Sequence, residues 1–193
     1  MLQKDHVSTV KSRKKDLCAV ICIDQEPGYG TQSPVNRILS EIQNDLRKEA
    51  NREGKGSYGS VRLAFVYKNE VSLAVKPFET ISQNTPVYFM ENFRRVENNA
   101  AHVLFMGLVL LEKARQEEQV STVKRLYFVT DREFTRLEVN RIIVEDEEGA
   151  EISILPRFSD ICDETIMYLY KTKQAGDVKL EKLFTDVHII EGE

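Results

Sequence analysis

An unbroken apolar run near the start of the chain limits the possible folds more than any other feature. Residues 17–23 read LCAVICI, and Asp24 follows them directly. A short continuous apolar run of this kind is typical of a strand that is buried on both faces. Such strands occupy the centre of parallel sheets that carry helices on both sides, so the run indicates an α/β domain.

Helical and extended patterns alternate after this run. Ser33 and Pro34 supply an N-cap and a proline at the first helical position. The apolar residues that follow recur at helical spacing, at Val35, Ile38, Leu39, Ile42 and Leu46. They predict a helix that packs one apolar face against the sheet. Residues 60–67 and 71–78 then read as two strands joined by the tight turn of residues 68–70, which predicts a hairpin.

One segment in the middle of the chain is apolar almost all round. This segment, residues 100–111, predicts a helix that is buried on most sides. The core positions expected on it are Val103, Leu104, Leu108 and Leu111. Gly107 lies among them and indicates close approach of a neighbouring element. Residues 123–131 follow as a further strand, which ends in Asp131.

The C-terminal part carries less distinct patterns. Residues 132–149 predict a helix, and a hairpin through residues 145–149 is the alternative. Residues 150–158 then read as a strand, and residues 159–173 as an amphipathic helix. The tail, residues 178–193, predicts a short helix and an extended end.

This alternation predicts a doubly wound, mostly parallel α/β sheet with one antiparallel edge strand and helices on both faces. The strands expected in this sheet are residues 17–23, 61–67, 126–130 and 152–155, with residues 71–77 antiparallel at the edge. A length of 193 residues suits a single domain. We expect that domain to span residues 16–193, after a flexible polar leader of residues 1–15.

Composition and charge exclude several classes of protein. A net charge of -4 argues against nucleic-acid binding, because neutralising phosphates requires a basic surface. No segment has the pattern of a signal peptide, and no run approaches the roughly 18 apolar residues of a spanning helix. Three cysteines make an odd count, and we expect buried, reduced thiols. Together these features favour a cytoplasmic protein without a membrane span.

Acidic residues stand at the ends of two predicted strands. Asp24 follows the first apolar run directly, Glu26 lies in the loop QEPGYG after it, and Asp131 ends the strand of residues 123–131. In open α/β sheets, ligands bind at the carboxyl ends of the strands, near the point where the strand order reverses. We therefore expect these carboxylates to converge at one edge of the sheet.

Five stretches of the chain resemble von Willebrand factor A (vWA) domains: AVICIDQEPGYG, SPVNRILSEIQNDL, VRLAFVYKNEVSLAVKPFETI, ENNAAHVLFMGLVLLEKA and LYFVTDRE. Together they cover nearly the whole chain, and they are most similar to the intracellular bacterial type found in tellurite-resistance-like proteins. The resemblance implies a vWA or Rossmann-like fold with an antiparallel hairpin. It also implies a non-catalytic protein-interaction module that acts within a multiprotein complex in the bacterial cytoplasm.

The family carries a metal-ion-dependent adhesion site (MIDAS) built from an Asp-x-Ser-x-Ser loop, a threonine and a later aspartate. Asp24 and Asp131 match the two aspartates, Glu26 and Gly28 replace the serines, and Asn98 falls near the threonine. Arg132 stands where a glycine follows the last aspartate. The resemblance implies that these positions bind the protein partner: Asp24, Glu26, Gly28, Asn98, Asp131 and Arg132.

The replaced serines change the chemistry expected at this site. Mg²⁺ requires near-ideal octahedral oxygen geometry, and both hydroxyl ligands are gone. We therefore expect a degenerate site without a resident metal or other cofactor. Weak binding of Mg²⁺ or Ca²⁺ by Asp24, Glu26 and Asp131 is one alternative. Another is an inert loop whose carboxylates accept backbone N–H groups and are neutralised by nearby arginines.

An enzyme is the alternative function. An Asp-x-Glu pair after a buried strand weakly resembles the haloacid-dehalogenase-type phosphatases, in which an aspartate nucleophile precedes an acid/base aspartate by two residues. Asp24 and Glu26 would then serve a Mg²⁺-dependent, phosphatase-like hydrolase. Pro27, the predicted hairpin and the lack of a later lysine with an acidic pair argue against it. We therefore expect no catalytic residue in this chain.

Overall fold

Eleven helices and strands lie within the part of the chain that the structure, a computed structural model, describes. That part comprises residues 14–25, 30–51, 58–68, 72–90, 99–116, 121–131, 143–145, 148–153, 156–171 and 184–191. The elements are β1 (Asp16–Asp24), α1 (Pro34–Asn51), β2 (Val61–Lys68), β3 (Leu73–Thr80), α2 (Asn99–Gln116), β4 (Thr122–Thr130), β5 (Ile143–Glu145), β6 (Glu151–Ser153), α3 (Pro156–Ile161), β7 (Glu164–Lys171) and β8 (Asp186–Glu191).

The apolar run of residues 17–23 lies in the centre of the main sheet. The strand order is β3-β2-β1-β4-β7-β8, and every neighbouring pair is parallel except β2 and β3. The antiparallel β3 lies at one edge, next to β2. A mostly parallel sheet with one antiparallel edge strand and helices around it was predicted, and this fold class is confirmed.

Two apolar layers cover the sheet, because successive side chains of a strand point to opposite faces. Cys18, Val20 and Cys22 of β1 pack with α2 and α3, whereas Leu17, Ile21 and Ile23 pack with α1. All four predicted core residues of α2 are buried in the first layer, and the predicted apolar positions of α1 are buried in the second. The two predicted helices are therefore confirmed.

Gly107 allows α2 to lie directly on β1. A Cβ atom at this position would stand 2.4 Å from the Cys22 sulfur and 3.5 Å from the Val20 side chain. The predicted close approach is confirmed, and any larger residue would push the helix off the strand. The three cysteines are buried thiols that form no disulfide, as predicted, and burial raises the pKa of the Cys162 thiol to about 12.

The prediction for residues 132–149 was wrong in its described portion, and the alternative hairpin is correct. β5 and β6 form a separate two-stranded antiparallel sheet, with Gly149 at a φ of 78° in the connection. The isoleucine and valine of β5 favour a strand, and the glycine supplies the left-handed turn conformation. Of residues 152–155, which were predicted in the main sheet, residues 152–153 lie in β6 instead, and residues 154–155 lie outside the described residues. Residues 132–142 lie outside the described residues.

Residues 159–173 were predicted as a helix, which is also wrong. The helix α3 ends at Ile161, and β7 begins at Glu164 between β4 and β8. Met167 of β7 packs in the α2 layer and Tyr168 in the α1 layer, so this strand is buried on both faces. The extended end predicted in the tail is confirmed as β8, whereas residues 178–183 lie outside the described part.

No helix among the described residues is both long and apolar enough to cross a membrane.

Candidate functional site

The carboxyl edge of the sheet brings the last residues of β1 and β4 together. Asp24 and Thr130 are direct partners in the parallel register. The Thr130 hydroxyl donates a hydrogen bond to Asp24 Oδ2 over 3.4 Å, and both residues are fully buried. Asp131 follows in the chain and is partly exposed. Two of the six candidate positions, Asp24 and Asp131, are thus neighbours at the point where the strand order reverses.

The other four candidate positions fall outside the described residues. These are Glu26, Gly28, Asn98 and Arg132. Their contribution to the edge therefore stays a prediction.

The burial of Asp24 decides what this carboxylate can contact. A nucleophile must reach its substrate, and a recognition residue must touch its partner. Asp24 has no exposed surface and accepts a hydrogen bond from Thr130, so it supports the edge, and its role in partner binding stays a prediction. Of Asp24 and Asp131, only Asp131 is partly exposed to solvent.

Two further polar side chains are buried around the loop that follows β1. Gln25 is next to Asp24, and Ser33 precedes the first helical residue of α1. Among the described residues, neither Gln25 Oε1 nor Ser33 Oγ has a hydrogen-bond partner. Buried oxygen atoms of this kind are uncommon, because each costs free energy when water is removed from it. Sequence patterns pointed to Ser33 only as a helix cap and did not point to Gln25.

Part of the predicted donor set for a metal ion lies among the described residues. Within the described ranges, no group of three histidine, cysteine, aspartate or glutamate side chains is placed to hold a metal ion. The oxygen atoms of Asp24, Thr130, Gln25 and Ser33 are of the chemical type that Mg²⁺ accepts. The Asp24 carboxylate accepts the Thr130 hydroxyl, and Asp131 is partly exposed. These two carboxylates do not form a closed octahedral site.

An asparagine of α1 joins this edge to a second segment. Asn36 is buried, and its amide nitrogen donates to the Gly30 carbonyl at 3.0 Å and to the Met90 carbonyl at 3.1 Å. Its amide oxygen accepts from the Met90 N–H at 2.8 Å. Met90 is the last described residue of a segment, residues 81–90, that contains a turn at residues 83–84 and that we call the strap. Asn36 therefore fixes Gly30 and the strap relative to each other.

Sequence analysis missed this anchor, although a signal exists. Asn36 and Gln43 are seven residues apart on α1, which places them on the same side of the helix. Both are buried beside the apolar positions of that helix. Polar residues at helical spacing within an apolar stripe indicate side chains that bind buried backbone groups.

A charged cluster marks the opposite, amino edge of the sheet. Arg125 of β4 is buried, and it donates to both carboxylate oxygens of Glu49 at 3.0 and 3.1 Å, to Glu164, and to the Tyr127 hydroxyl at 3.1 Å. Burial raises the pKa of Tyr127 to about 12, although the nearby guanidinium lowers it. The cluster joins the end of α1 to β4 and β7, so its role is structural.

No protein-family model matches the sequence, and no curated protein matches it. Solved structures similar to the chain include the pilus adhesin SpaC from Lactobacillus rhamnosus GG, with 13% identity and a TM-score of 0.49 over 82% of this chain. They also include the VWA domain of SpRpn10, with 7% identity and a TM-score of 0.46 over 93% of this chain. A third is proximal thread matrix protein 1 from the mussel byssus, a structure with a zinc-occupied MIDAS motif, at 14% identity and a TM-score of 0.33 over 93% of this chain.

The lengths of these proteins differ from that of the chain. The chain spans 25% of the pilus adhesin and 42% of the byssus protein, but 89% of the SpRpn10 domain. Identities and scores at this level do not assign the chain to a family. The fold described above rests on the strand order and direction alone.

Proposed function

We propose that the chain is a non-catalytic protein-interaction module of the vWA type, which binds its partner through the carboxyl edge of the sheet. The observation that carries the proposal is the junction of β1 and β4. These strands end side by side in Asp24 and Thr130, and the exposed side of the junction carries Asp131. Ligands of open α/β sheets bind at this place. The strand order with its antiparallel hairpin agrees with the vWA resemblance.

The finer part of the proposal concerns the type of module. We propose a degenerate MIDAS, because Glu26 and Gly28 stand where the family has serines. A glutamate there adds a negative charge at the position meant for the partner's own acidic group. The partner of this chain would then be recognised without a bridging cation. In keeping with the tellurite-resistance-like resemblance of the sequence, we propose that the module acts in a multiprotein complex of the bacterial cytoplasm.

The hydrolase alternative receives no support from the site. It requires Asp24 to attack a phosphate ester, yet this carboxylate is fully buried and accepts the Thr130 hydroxyl. Glu26, the proposed acid/base, lies outside the described residues.

We expect millimolar Mg²⁺ to give almost no thermal shift of the wild-type chain. A divalent ion that normally filled the edge would stabilise the fold by about 2.7 kcal/mol at a hundredfold excess over its dissociation constant. The double variant Glu26→Ser with Gly28→Ser supplies both hydroxyls and removes the added charge, and we expect it to bind Mg²⁺ measurably in titration calorimetry.

The calorimetry also separates the remaining possibilities. Tight Mg²⁺ binding by the wild type would disprove the degenerate site. A folded double variant that fails to bind would identify Asn98 or Arg132 as a second block to metal binding.

The interaction itself is tested by reversing one charge at the proposed edge. We expect Asp131→Lys to abolish co-purification of a stoichiometric protein partner, because Asp131 is the solvent-accessible acid at the β1–β4 junction. Asp45→Lys is the matched control. It makes the same change of charge at an exposed position towards the end of α1, away from this edge.

Both variants are first compared with the wild type by circular dichroism, since loss of folding would abolish any interaction. Equal loss of the partner in Asp45→Lys, or full retention in Asp131→Lys, would show that the partner binds another surface.

A further inference from the structure

The two outermost strands of the main sheet differ in how they are protected against pairing. Among the described residues these edge strands are β3 and β8. The outer side of an edge strand presents backbone N–H and C=O groups, and these can pair with a strand of another chain. Natural proteins usually block such pairing with proline, lysine or a β-bulge on the edge strand. These three features therefore distinguish a closed edge from one that is able to pair.

The edge strand β3 has all three protective features. Pro77 lies within the strand and has no N–H to donate, and Lys76 precedes it. The register with β2 shifts between the Leu63–Glu79 and Phe65–Lys76 pairs, which marks a β-bulge at the same place. A strand added along β3 would meet this irregular backbone. The edge formed by β3 is therefore protected against pairing.

The opposite edge strand, β8, has none of these features. Its sequence, DVHIIE, contains no proline and no lysine. It pairs with β7 in an unbroken parallel register from Ile166–Asp186 to Lys171–Glu191. Ile189 is 55% exposed, the highest value among the exposed large apolar side chains of the described residues. A regular edge strand with an exposed apolar side chain near its centre is a template for pairing with another chain.

Side-chain contacts hold β8 in place on its neighbour β7. Thr165 and Thr185 each donate their backbone N–H to the other's hydroxyl, at 2.9 and 3.1 Å. The His188 ring stacks on the Tyr168 ring, with the centroids 4.6 Å apart and the planes 13° apart. The Asp186 carboxylate lies 3.0 Å from His188 Nε2. Because the strand is already ordered, pairing along its outer side requires little further loss of conformational entropy.

The geometry of antiparallel pairing limits how two copies of β8 can meet. Residues that lie opposite each other in such a pair point to the same face of the sheet, so a two-fold axis passes through a residue and not between two residues. With the axis at Ile189, this residue lies opposite Ile189 of the second copy. His188 then lies opposite Ile190, and Val187 lies opposite Glu191. Within the described residues, no carboxylate lies opposite another carboxylate in this register.

We propose that the chain forms a two-fold symmetric dimer in which β8 pairs antiparallel with β8 of a second copy, with Ile189 at the axis. The second copy is the occupant because this register buries the exposed isoleucine against itself and opposes no like charges, which is the self-complementarity that such an interface requires. The two sheets join into one, and their carboxyl edges point in opposite directions. Each dimer therefore presents two separate copies of the edge that carries Asp131, although the dimer itself does not depend on partner binding there.

Analytical ultracentrifugation over a series of protein concentrations tests the proposal. One strand of six residues per copy makes a small interface, so we expect a reversible dimer with a dissociation constant on the order of 10 µM. Ile189→Lys removes the apolar contact and places two like charges opposite each other at the axis. It should weaken the dimer by about tenfold or more. A wild-type chain that stays monomeric at every concentration would overturn the proposal.

Val75→Lys is the matched control on the other edge strand. Val75 of β3 is also β-branched and is 39% exposed, so the same kind of substitution adds the same charge to the edge that is protected against pairing. It should leave the dimer unchanged. Circular dichroism first establishes that both variants are folded. A dimer that survives Ile189→Lys, or one that Val75→Lys dissociates equally, would show that the two copies do not pair through β8.

Cysteine cross-linking tests the register independently. Opposite residues of an antiparallel pair have Cα atoms about 4.5–5.5 Å apart, a distance that a disulfide spans. We therefore expect Ile189→Cys to give a covalent dimer under mild oxidation. Glu191→Cys is the exposed control and should give none, because its two copies lie four residues apart along the strands, about 13 Å. The native cysteines are buried and do not compete. A cross-link by Glu191→Cys, or none by Ile189→Cys, would overturn this pairing of β8.

Discussion

Leu104→Ala and Leu108→Ala are each expected to lower the free energy of unfolding by about 2–5 kcal/mol. Both side chains are fully or almost fully buried on α2 and face the layer that contains Val20 and Phe128. Each substitution removes apolar contacts and leaves a cavity, and the central strand β1 cannot move to fill it because strands bind it on both sides. Urea unfolding monitored by circular dichroism measures the change.

Val109→Ala provides the matched control on the same helix. Val109 is 38% exposed, so its truncation should cost less than about 1 kcal/mol. A cost below about 1 kcal/mol for both leucine variants would show that α2 is peripheral rather than part of the core. A cost for Val109→Ala as large as for the leucines would mean that another chain or segment covers the outer face of α2.

Local patterns were sufficient for the first half of the chain. The apolar run of residues 17–23 indicated a central strand, and the spacing on α1 indicated one buried face. The hairpin of β2 and β3 needed no information beyond two adjacent extended segments and a short turn between them. In each case the residues that determine the structure are neighbours in sequence, so a single sequence contains the necessary information.

The structure of the segments after β4 could not be predicted in the same way. Residues 166–169 read IMYL, and a continuous apolar run of this length fits a buried strand and a helix segment equally well. What decides between them is pairing: β7 binds β4 through Arg125–Glu164 to Thr130–Leu169, a contact between distant segments. β8 likewise exists as a strand because β7 is beside it.

In the candidate site, too, features set by neighbouring residues could be predicted, whereas contacts between distant segments could not. Asp24 and Asp131 could be assigned to one sheet edge because both end predicted parallel strands. The hydrogen bonds that organise the edge and the strap could not be assigned, since Asn36 meets Met90 across 54 residues and Gln43 meets Tyr88 across 45. Such contacts depend on which face of α1 receives the strap, and no local pattern specifies that.

Arg125→Met is expected to lower the free energy of unfolding by about 3 kcal/mol. The Arg125 side chain is only 9% exposed, and methionine keeps its length and apolar stem without the charge. Glu49 and Glu164 would then face each other without a cation in a partly buried site, and the Tyr127 hydroxyl would lose its bond to the guanidinium. The estimate lies at the low end of the range for buried pairs, because Glu49 and Glu164 remain 26% and 40% exposed.

A double-mutant cycle separates this electrostatic cost from lost packing. In the wild type, Glu49→Gln removes one partner of a buried guanidinium and should destabilise the fold. In the Arg125→Met background the same substitution removes an uncompensated carboxylate, so it should be neutral or stabilising. We expect a coupling energy within the range of about 0.5–3 kcal/mol that is typical of contacting charged residues. If Glu49→Gln has the same effect in both backgrounds, the cost of Arg125→Met comes from packing, and the ion pair does not stabilise the junction of α1 with the sheet.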